Sequence, residues 1–324
     1  MHFENPTVTE SLCGMDASVA QPITRPGTDV GSGGSAGTGT RPRWRGVATV
    51  LASAASNQVG AGLGAQAFDA IGPAGVVAVR QAVAAAVLLP VARPPLRRMT
   101  WSQWWPTLLL ALVFATMNLT LYSAIDRIGL ALAITLEFLG PLAVALAASR
   151  TRLDLLTAAI AAVGVYVLVL PGPTSDVLGL ALGLTAGTCW AAYIMLNRVV
   201  GARLPGLQAP ALASGLCALG YLPVLVMLTV EGRWDASTLL RALAAGLLSS
   251  VVPYAADLTA LRTLPPRLFS VLSSAQPAVA ALAGLLLLGQ GLALHELVGI
   301  GIVIATNVLA VTTNPAGEAR HAGR

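Results

Sequence analysis

Long apolar stretches follow one another along this chain, and they constrain its fold more than any other feature. A helix needs roughly 20 mostly apolar residues to cross the hydrocarbon core of a bilayer. Charge-free stretches of suitable length recur at 46–68, 104–125, 177–197, 204–230, 268–294 and 297–317. Four more candidates are shorter or hold one or two ionisable groups, at 72–91, 128–149, 153–170 and 239–260. The sequence therefore predicts an all-α membrane protein with ten transmembrane helices, numbered here as spans 1 to 10 in chain order.

The arginines predict how these spans are oriented. All 19 basic residues are Arg, and with the N-terminus inside, 14 of them fall on the inner side. Only Arg127, Arg233 and Arg241 fall on the outer side. This asymmetry fits the positive-inside rule, and one missed span would invert every later loop. We therefore predict a multi-pass protein of the inner (cytoplasmic) membrane with both termini in the cytosol.

Composition excludes several classes of function. The chain is 56% hydrophobic and only 10% charged, whereas soluble domains are about a quarter charged. The arginines are scattered between apolar segments without a continuous basic patch, so we expect no nucleic-acid partner. Three cysteines are too few and too scattered for a disulfide framework or a metal site. No nucleotide loop or catalytic constellation is recognisable, which favours a transporter without a cofactor over an enzyme.

An internal repeat divides the chain. The segment "ALAITLEFLGPLAVAL" at 131–146 is similar to "RLFSVLSSAQPAVAAL" at 267–282, with the prolines aligned at an offset of 136. Five spans is an odd number, so the second copy must insert upside down, an arrangement typical of secondary transporters. We therefore predict a disordered cytosolic tail at 1–43, a first five-helix repeat at 44–172, an inverted second five-helix repeat at 173–313 and a cytosolic C-terminal tail at 314–324.

Glu137 and Pro141 are the most unusual residues for the middle of a span. An ionised carboxylate at this depth costs several kcal/mol, so it must face a cavity or a partner, or be protonated. Pro141 has no N–H, so the carbonyl of Glu137 four residues earlier loses its helical partner. Both residues share one helix face. The pattern predicts a kinked site that joins a titratable carboxylate to a freed carbonyl.

Other polar residues within the spans are further candidates for the site. Arg80 lies near the middle of span 2, where it could pair with Glu137, bind a substrate carboxylate or extend to the interface. Gln276 and Ser273 occupy the repeat positions of the Glu137–Pro141 motif. Each uncharged candidate alone is more often an interhelical hydrogen bond. The remaining candidates are Asn118, Tyr122 and Asp257.

The chain resembles the EamA group of the drug/metabolite transporter superfamily, and within it the bacterial threonine and homoserine exporters. The stretches that carry the resemblance are "TLEFLGPLAVALAASR" at 135–150, "CWAAYI" at 189–194 and "VPYAADLTALRTLP" at 252–265. The resemblance implies a ten-helix inner-membrane exporter with a central cavity between its halves. The family usually has Glu where this chain has Gln276, another where Gln290 stands, and the exporters have Glu where it has Asp257. The second half is therefore poorer in acids than the family pattern.

The favoured hypothesis is export of a small metabolite, most simply an amino acid such as threonine or homoserine, by alternating access. Glu137 would bind an ammonium or exchange protons, and Arg80 would bind a carboxylate or position Glu137. Protons are a candidate coupling ion, the bilayer is the lipid partner, and a homodimer stays open. The alternatives are efflux of drugs or other metabolites, which the aromatic content of 5% disfavours,, and a non-transporting membrane scaffold or sensor.

Overall fold

The regular structure of the chain is entirely helical wherever the structure describes it. The computed structural model describes residues 40–147, 152–170, 176–204, 206–261, 264 and 266–313. The α-helices are α1 (Thr40–Ala65), α2 (Phe68–Ala92), α3 (Trp101–Ile128), α4 (Leu130–Glu137), α5 (Leu139–Ala147), α6 (Arg152–Val169), α7 (Val177–Gly201), α8 (Gln208–Gly220), α9 (Leu222–Val230), α10 (Ala236–Gly246), α11 (Val252–Leu261), α12 (Pro266–Ser273), α13 (Gln276–Leu288) and α14 (Leu294–Thr313). A 3₁₀ turn lies at Leu96–Arg98 and a π-helical turn at Leu247–Val251. The all-α prediction is confirmed, while most of the N-terminal tail and the whole C-terminal tail lie outside the described residues.

The helices coincide with the predicted spans, but several of them are broken. Within the described residues, five helical segments are long and apolar enough to cross a membrane by themselves. A sixth is added if α8 and α9, which are bent by 43° at their junction, form one span. The other predicted spans correspond to shorter apolar helices or to α1. The membrane class is confirmed, and the count of ten spans stays a prediction.

Helix starts follow from local chemistry. Thr100 and Gln103 form a capping box at the start of α3, which satisfies two N–H groups that have no helical acceptor. Asp235 caps α10 by accepting a 2.8 Å hydrogen bond from the N–H of Thr238,. Within α2, Gly72 adopts φ 67°, a conformation that favours glycine. Pro73 then begins the regular helix, close to the predicted start of span 2.

The packing of the helices repeats when the two halves are exchanged. α1 packs on α10, α11 and α13 of spans 8 and 9. Its counterpart α7 packs on α3, α4 and α5 of spans 3 and 4. The pairs α2–α8 and α6–α14 map onto themselves under the same exchange, whereas the α4–α13 contact has no equally strong counterpart between α5 and α12 in the described part of the chain. Two related halves would produce this pattern, although the inverted orientation and the repeat boundaries stay predictions.

Glycines let the helices approach each other closely. A Cβ atom on Gly62 would lie 2.8 Å from Leu287 Cδ1, and one on Gly64 would lie 2.9 Å from Val76 Cγ1. Both glycines belong to the "GAGLG" stretch of α1, so this glycine spacing serves helix packing.

Candidate functional site

Spans 4 and 9 break at equivalent positions. α4 ends at Glu137 and α12 ends at Ser273, and each break lies just ahead of the proline of its span. Phe138 donates its N–H to Ile134 O at 3.0 Å, and Ala275 donates to Leu272 O at 3.1 Å. Because Pro141 and Pro277 have no N–H, the carbonyls of Glu137 and Ser273 have no α-helical donor. The helix is thus interrupted at both prolines, as a freed carbonyl at each position would suggest, while a kink stays a prediction.

The break in span 4 lies directly against α7. A Cβ atom on Gly187 would lie 2.9 Å from the carbonyl oxygen of Leu136 and 3.1 Å from that of Glu137. A Cβ atom on Gly140 would collide with the carbonyl oxygen of Gly187. Backbone therefore meets backbone at this crossing, and Glu137 is held at a fixed position beside α7.

Glu137 is a buried carboxylate without a bonded partner. The residue is 6% exposed. Among the described residues its carboxylate makes no hydrogen bond and no ion pair. It lies near enough to Arg80 and to the Cys189 thiol for electrostatic interaction. A buried charge without a partner is costly, so this carboxylate must either be protonated or face a cation that the described side chains do not supply by direct contact.

Arg80 is buried as well, and it contacts span 8 instead of pairing with Glu137. Its Nε donates to Ser250 Oγ at 2.8 Å, and its Nη2 donates to Ser249 O at 2.8 Å. The guanidinium carbon lies 5.3 Å from the centre of the Tyr122 ring, within the range of a cation–π contact. A direct Arg80–Glu137 ion pair, one of the predicted alternatives, is not formed in the described part of the chain.

Tyr122 and Asn118 are both buried on α3, and their role in the site stays a prediction. Tyr122 is fully buried, and its hydroxyl has no hydrogen-bond partner in the described part of the chain. Asn118 is 2% exposed and donates to Phe114 O at 2.7 Å within its own helix. Asp257 lies in α11, but its side chain falls outside the described part of the structure.

Gln276 joins span 9 to span 1. Its Oε1 accepts hydrogen bonds from Gln58 Nε2 at 2.9 Å and from Asn57 Nδ2 at 3.3 Å. A carboxylate at this position could accept the same two bonds. Ser273 is partly buried at the end of α12, and its predicted role depends on its carbonyl.

Three buried polar residues of spans 2 and 8 could not be found reliably from sequence. Gln81 is fully buried, and neither atom of its amide has a partner within the described residues. Such groups normally bind another polar group or an ordered molecule. Ser249 and Ser250 hold Arg80 in place. In the sequence, Gln81 is distinguished only as the neighbour of Arg80 in "AVRQAV". Ser249 and Ser250 are distinguished only as a serine pair inside an apolar run.

The two breaks divide spans 4 and 9 into halves. On the predicted topology, α4 and α13 are the outer halves, and α5 and α12 are the inner halves. α4 and α13 pack together. Gln290 Oε1 accepts the Leu130 N–H at 3.0 Å, and Gln66 donates to Leu287 O at 2.8 Å, which closes this end. In the part of the chain that the structure describes, α5 and α12 share at most a marginal contact.

Two acidic residues at helix starts, both outside the predicted spans, have lowered pKa values. Asp176 accepts from the Gly179 N–H at 2.8 Å and forms a 3.0 Å ion pair with Arg127. The Gly179 N–H and the Arg127 guanidinium hold the pKa of Asp176 below its usual range. Hydrogen bonds from Thr238 and Ser237 hold the pKa of Asp235 well below its usual range. Asp176 thus ties the end of α3 to the start of α7.

Apolar helices around unpaired buried charges define a multi-pass membrane transporter, and comparisons with known proteins agree. The EamA-like transporter family matches residues 177–312. The threonine/homoserine exporter RhtA of Escherichia coli strain K12 is 34% identical over 275 residues, which is 84% of this chain and 93% of that protein. RhtA of Salmonella typhimurium strain LT2 matches to the same extent, with 34% identity over 275 residues. The chain therefore belongs to the EamA-like transporter family.

The fold is also that of a solved structure. One crystal structure of a protein superposes with a TM-score of 0.54 and 17% identity. The match covers 86% of this chain and 99% of the other. At this identity the likeness concerns the fold alone, and it extends the comparison over both halves of the chain.

Proposed function

We propose that this protein exports small amino acids, such as threonine or homoserine, from the cytosol across the inner membrane. The observation that carries the proposal is the pair of buried, opposite charges at Glu137 and Arg80 that are not bonded to each other. A zwitterion carries an ammonium and a carboxylate, so it complements both. The 34% identity to the threonine/homoserine exporters supports the same cargo class.

Glu137 takes the ammonium in this proposal. Its carboxylate has no hydrogen bond or ion pair among the described residues, and a cation would offset the cost of burying its charge. A proton can replace the ammonium at the same oxygen atoms. Exchange of the two would couple export to the proton gradient through Glu137, whereas Gln276 in the second half cannot titrate.

Arg80 takes the carboxylate. Guanidinium groups bind carboxylates in a bidentate geometry, and Arg80 keeps N–H groups that the serines of span 8 do not use. Rocking of the two halves about the breaks in spans 4 and 9 would expose this site to each side in turn. The termini lie in the cytosol on this topology.

Transport by the purified protein tests the proposal. Proteoliposomes are loaded with radiolabelled L-threonine, and efflux is followed with and without an imposed pH gradient. We expect saturable efflux that unlabelled homoserine inhibits and that protein-free liposomes lack. No protein-dependent efflux of either amino acid would reject the proposed cargo. A parallel panel of cationic drugs and other metabolites tests the alternative cargo class, and inactivity across both panels favours a membrane scaffold.

A further inference from the structure

The π-helical turn Leu247–Val251 of span 8 lies against Arg80 and departs from regular helix for a clear reason. The N–H of Val252 bonds to Leu247 O, five residues back, as a π-helix requires. The next residue, Pro253, has no N–H. It therefore cannot donate to Ser249 O, four residues earlier, or to Leu248 O, five residues earlier.

Side chains from two other spans bind both freed carbonyls. Ser56 Oγ of α1 donates to Leu248 O at 2.8 Å, and Arg80 Nη2 of α2 donates to Ser249 O at 2.8 Å. The absence of a Cβ atom on Gly60 permits this approach, because such an atom would lie 2.8 Å from Leu248 Cβ and from Ser249 N. The turn is thus a junction where spans 1, 2 and 8 meet.

The turn uses only one edge of the guanidinium. Nε donates to Ser250 Oγ and Nη2 donates to Ser249 O, so both bonds lie along the Nε–Nη2 side. Nη1 has no hydrogen-bond partner among the described residues. The Tyr122 ring covers one face of the group. An arginine has five N–H donors in a planar fork, so the end formed by Nη1 and Nη2 stays available to a carboxylate.

We infer that the π-helical turn orients Arg80 toward the carboxylate of the cargo, with Ser250 as the positioning residue. The inference rests on the proposed function. Without the Ser250 hydroxyl, Arg80 keeps its charge and its bond to Ser249 O but can rotate about that single contact. The end of the guanidinium formed by Nη1 and Nη2 then loses its fixed direction. The affinity for a carboxylate falls, while the affinity for an ammonium stays the same.

Transport kinetics in proteoliposomes test this inference with three serine variants. Ser250→Ala removes the oriented bond, and Ser250→Thr keeps a hydroxyl. Ser56→Ala is the matched control, because it removes a hydrogen bond to the same turn without contacting Arg80. L-Threonine is the substrate, and L-threoninol, which lacks the carboxylate, is the competing probe.

We expect Ser250→Ala to raise the KM for threonine about ten-fold, the size expected for a charge-assisted hydrogen bond. Its Vmax and its inhibition by threoninol should stay close to the wild-type values. Ser250→Thr and Ser56→Ala should keep the wild-type KM. Pro253→Ala restores an N–H that competes for Ser249 O, so it should also raise the KM for threonine.

Two results would overturn the inference while leaving the proposed function intact. One is an unchanged KM in Ser250→Ala, and the other is an equal loss of affinity for threonine and threoninol. If Ser250→Ala does not fold, the KM of Pro253→Ala decides by the same criteria. A wild-type protein that does not transport threonine rejects the proposed function, and the inference fails with it.

Discussion

Gly187 of α7 contacts the main chain at Glu137, with space for a hydrogen atom but not for a methyl group. A Cβ atom there would lie 3.1 Å from the carbonyl oxygen of Glu137 and 2.9 Å from that of Leu136. The position of the carboxylate thus depends on a residue that has no side chain. Neither neighbouring atom can rotate away, since both belong to the backbone.

Gly187→Ala should therefore destabilise the protein and displace the break in span 4. Overpacking of this kind costs about 1–3 kcal/mol, measured as the free energy of unfolding in detergent. Gly201→Ala is the matched control in the same helix, because a Cβ atom there meets nothing within 4 Å. Equal stability of the two variants would contradict the close contact.

Glu137→Gln should reduce export at least ten-fold, since the amide keeps the size of the side chain but neither binds an ammonium strongly nor exchanges a proton. Ten-fold corresponds to about 1.4 kcal/mol, well within the strength of a buried charge pair. Initial rates of threonine efflux measure the effect. Glu231→Gln removes a carboxylate whose side chain is 40% exposed and should keep the wild-type rate. Wild-type efflux by Glu137→Gln at normal expression would rule out the proposed role.

Gln290 should stabilise the start of α4. Gln290→Met removes the acceptor of the Leu130 N–H at similar side-chain size, and loss of such a cap costs about 1 kcal/mol. Gln290→Glu keeps an acceptor oxygen and should retain most of the stability. Unfolding in detergent compares the two variants with wild type. A loss as large in Gln290→Glu as in Gln290→Met would contradict the assigned hydrogen bond.

Gln276→Glu should fold normally, because a carboxylate can accept the bonds from Asn57 and Gln58 that the amide oxygen accepts now. Gln276→Leu should lose both bonds and about 1–2 kcal/mol of stability, at roughly 0.6 kcal/mol or more for each membrane hydrogen bond. Thermal unfolding distinguishes the variants. Wild-type stability of Gln276→Leu would show that the bridge between spans 1 and 9 does not stabilise the fold.

We expect the stability of the protein to depend on pH through Asp235, which lies outside the membrane. Its pKa is lowered in the folded protein by bonds from Thr238 and Ser237, so its contribution to stability is present above the unfolded pKa of about 3.9. That contribution is lost as the pH falls through the folded pKa. The difference in melting temperature between wild type and Asp235→Ala should therefore be constant from about pH 8 to 5 and shrink below about pH 4. A difference that already shrinks between pH 7 and 5 would contradict this assignment.

The sequence predicts those features of this site that follow from unusual residues in an apolar setting. Glu137, Arg80 and Pro141 are conspicuous because a bilayer penalises charge and proline breaks a helix. The aligned Pro277 predicted a freed carbonyl at Ser273 for the same reason. The partners of Arg80 depend instead on which spans meet, and neither hydropathy nor spacing determines that. The π-helical turn could be explained from Pro253 only after α1 and α2 were seen to bind the freed carbonyls.

The closure of spans 4 and 9 at one end alone gives the molecule a direction. On the predicted topology, α4 and α13 pack together toward the outside, while within the described residues α5 and α12 share at most a marginal contact toward the cytosol. On the proposed function and topology, a carrier resting in this shape opens toward the cytosol, so its cycle begins by binding cargo there. A membrane-impermeant competitor would then inhibit at a lower concentration from the cytosolic face than from the outside.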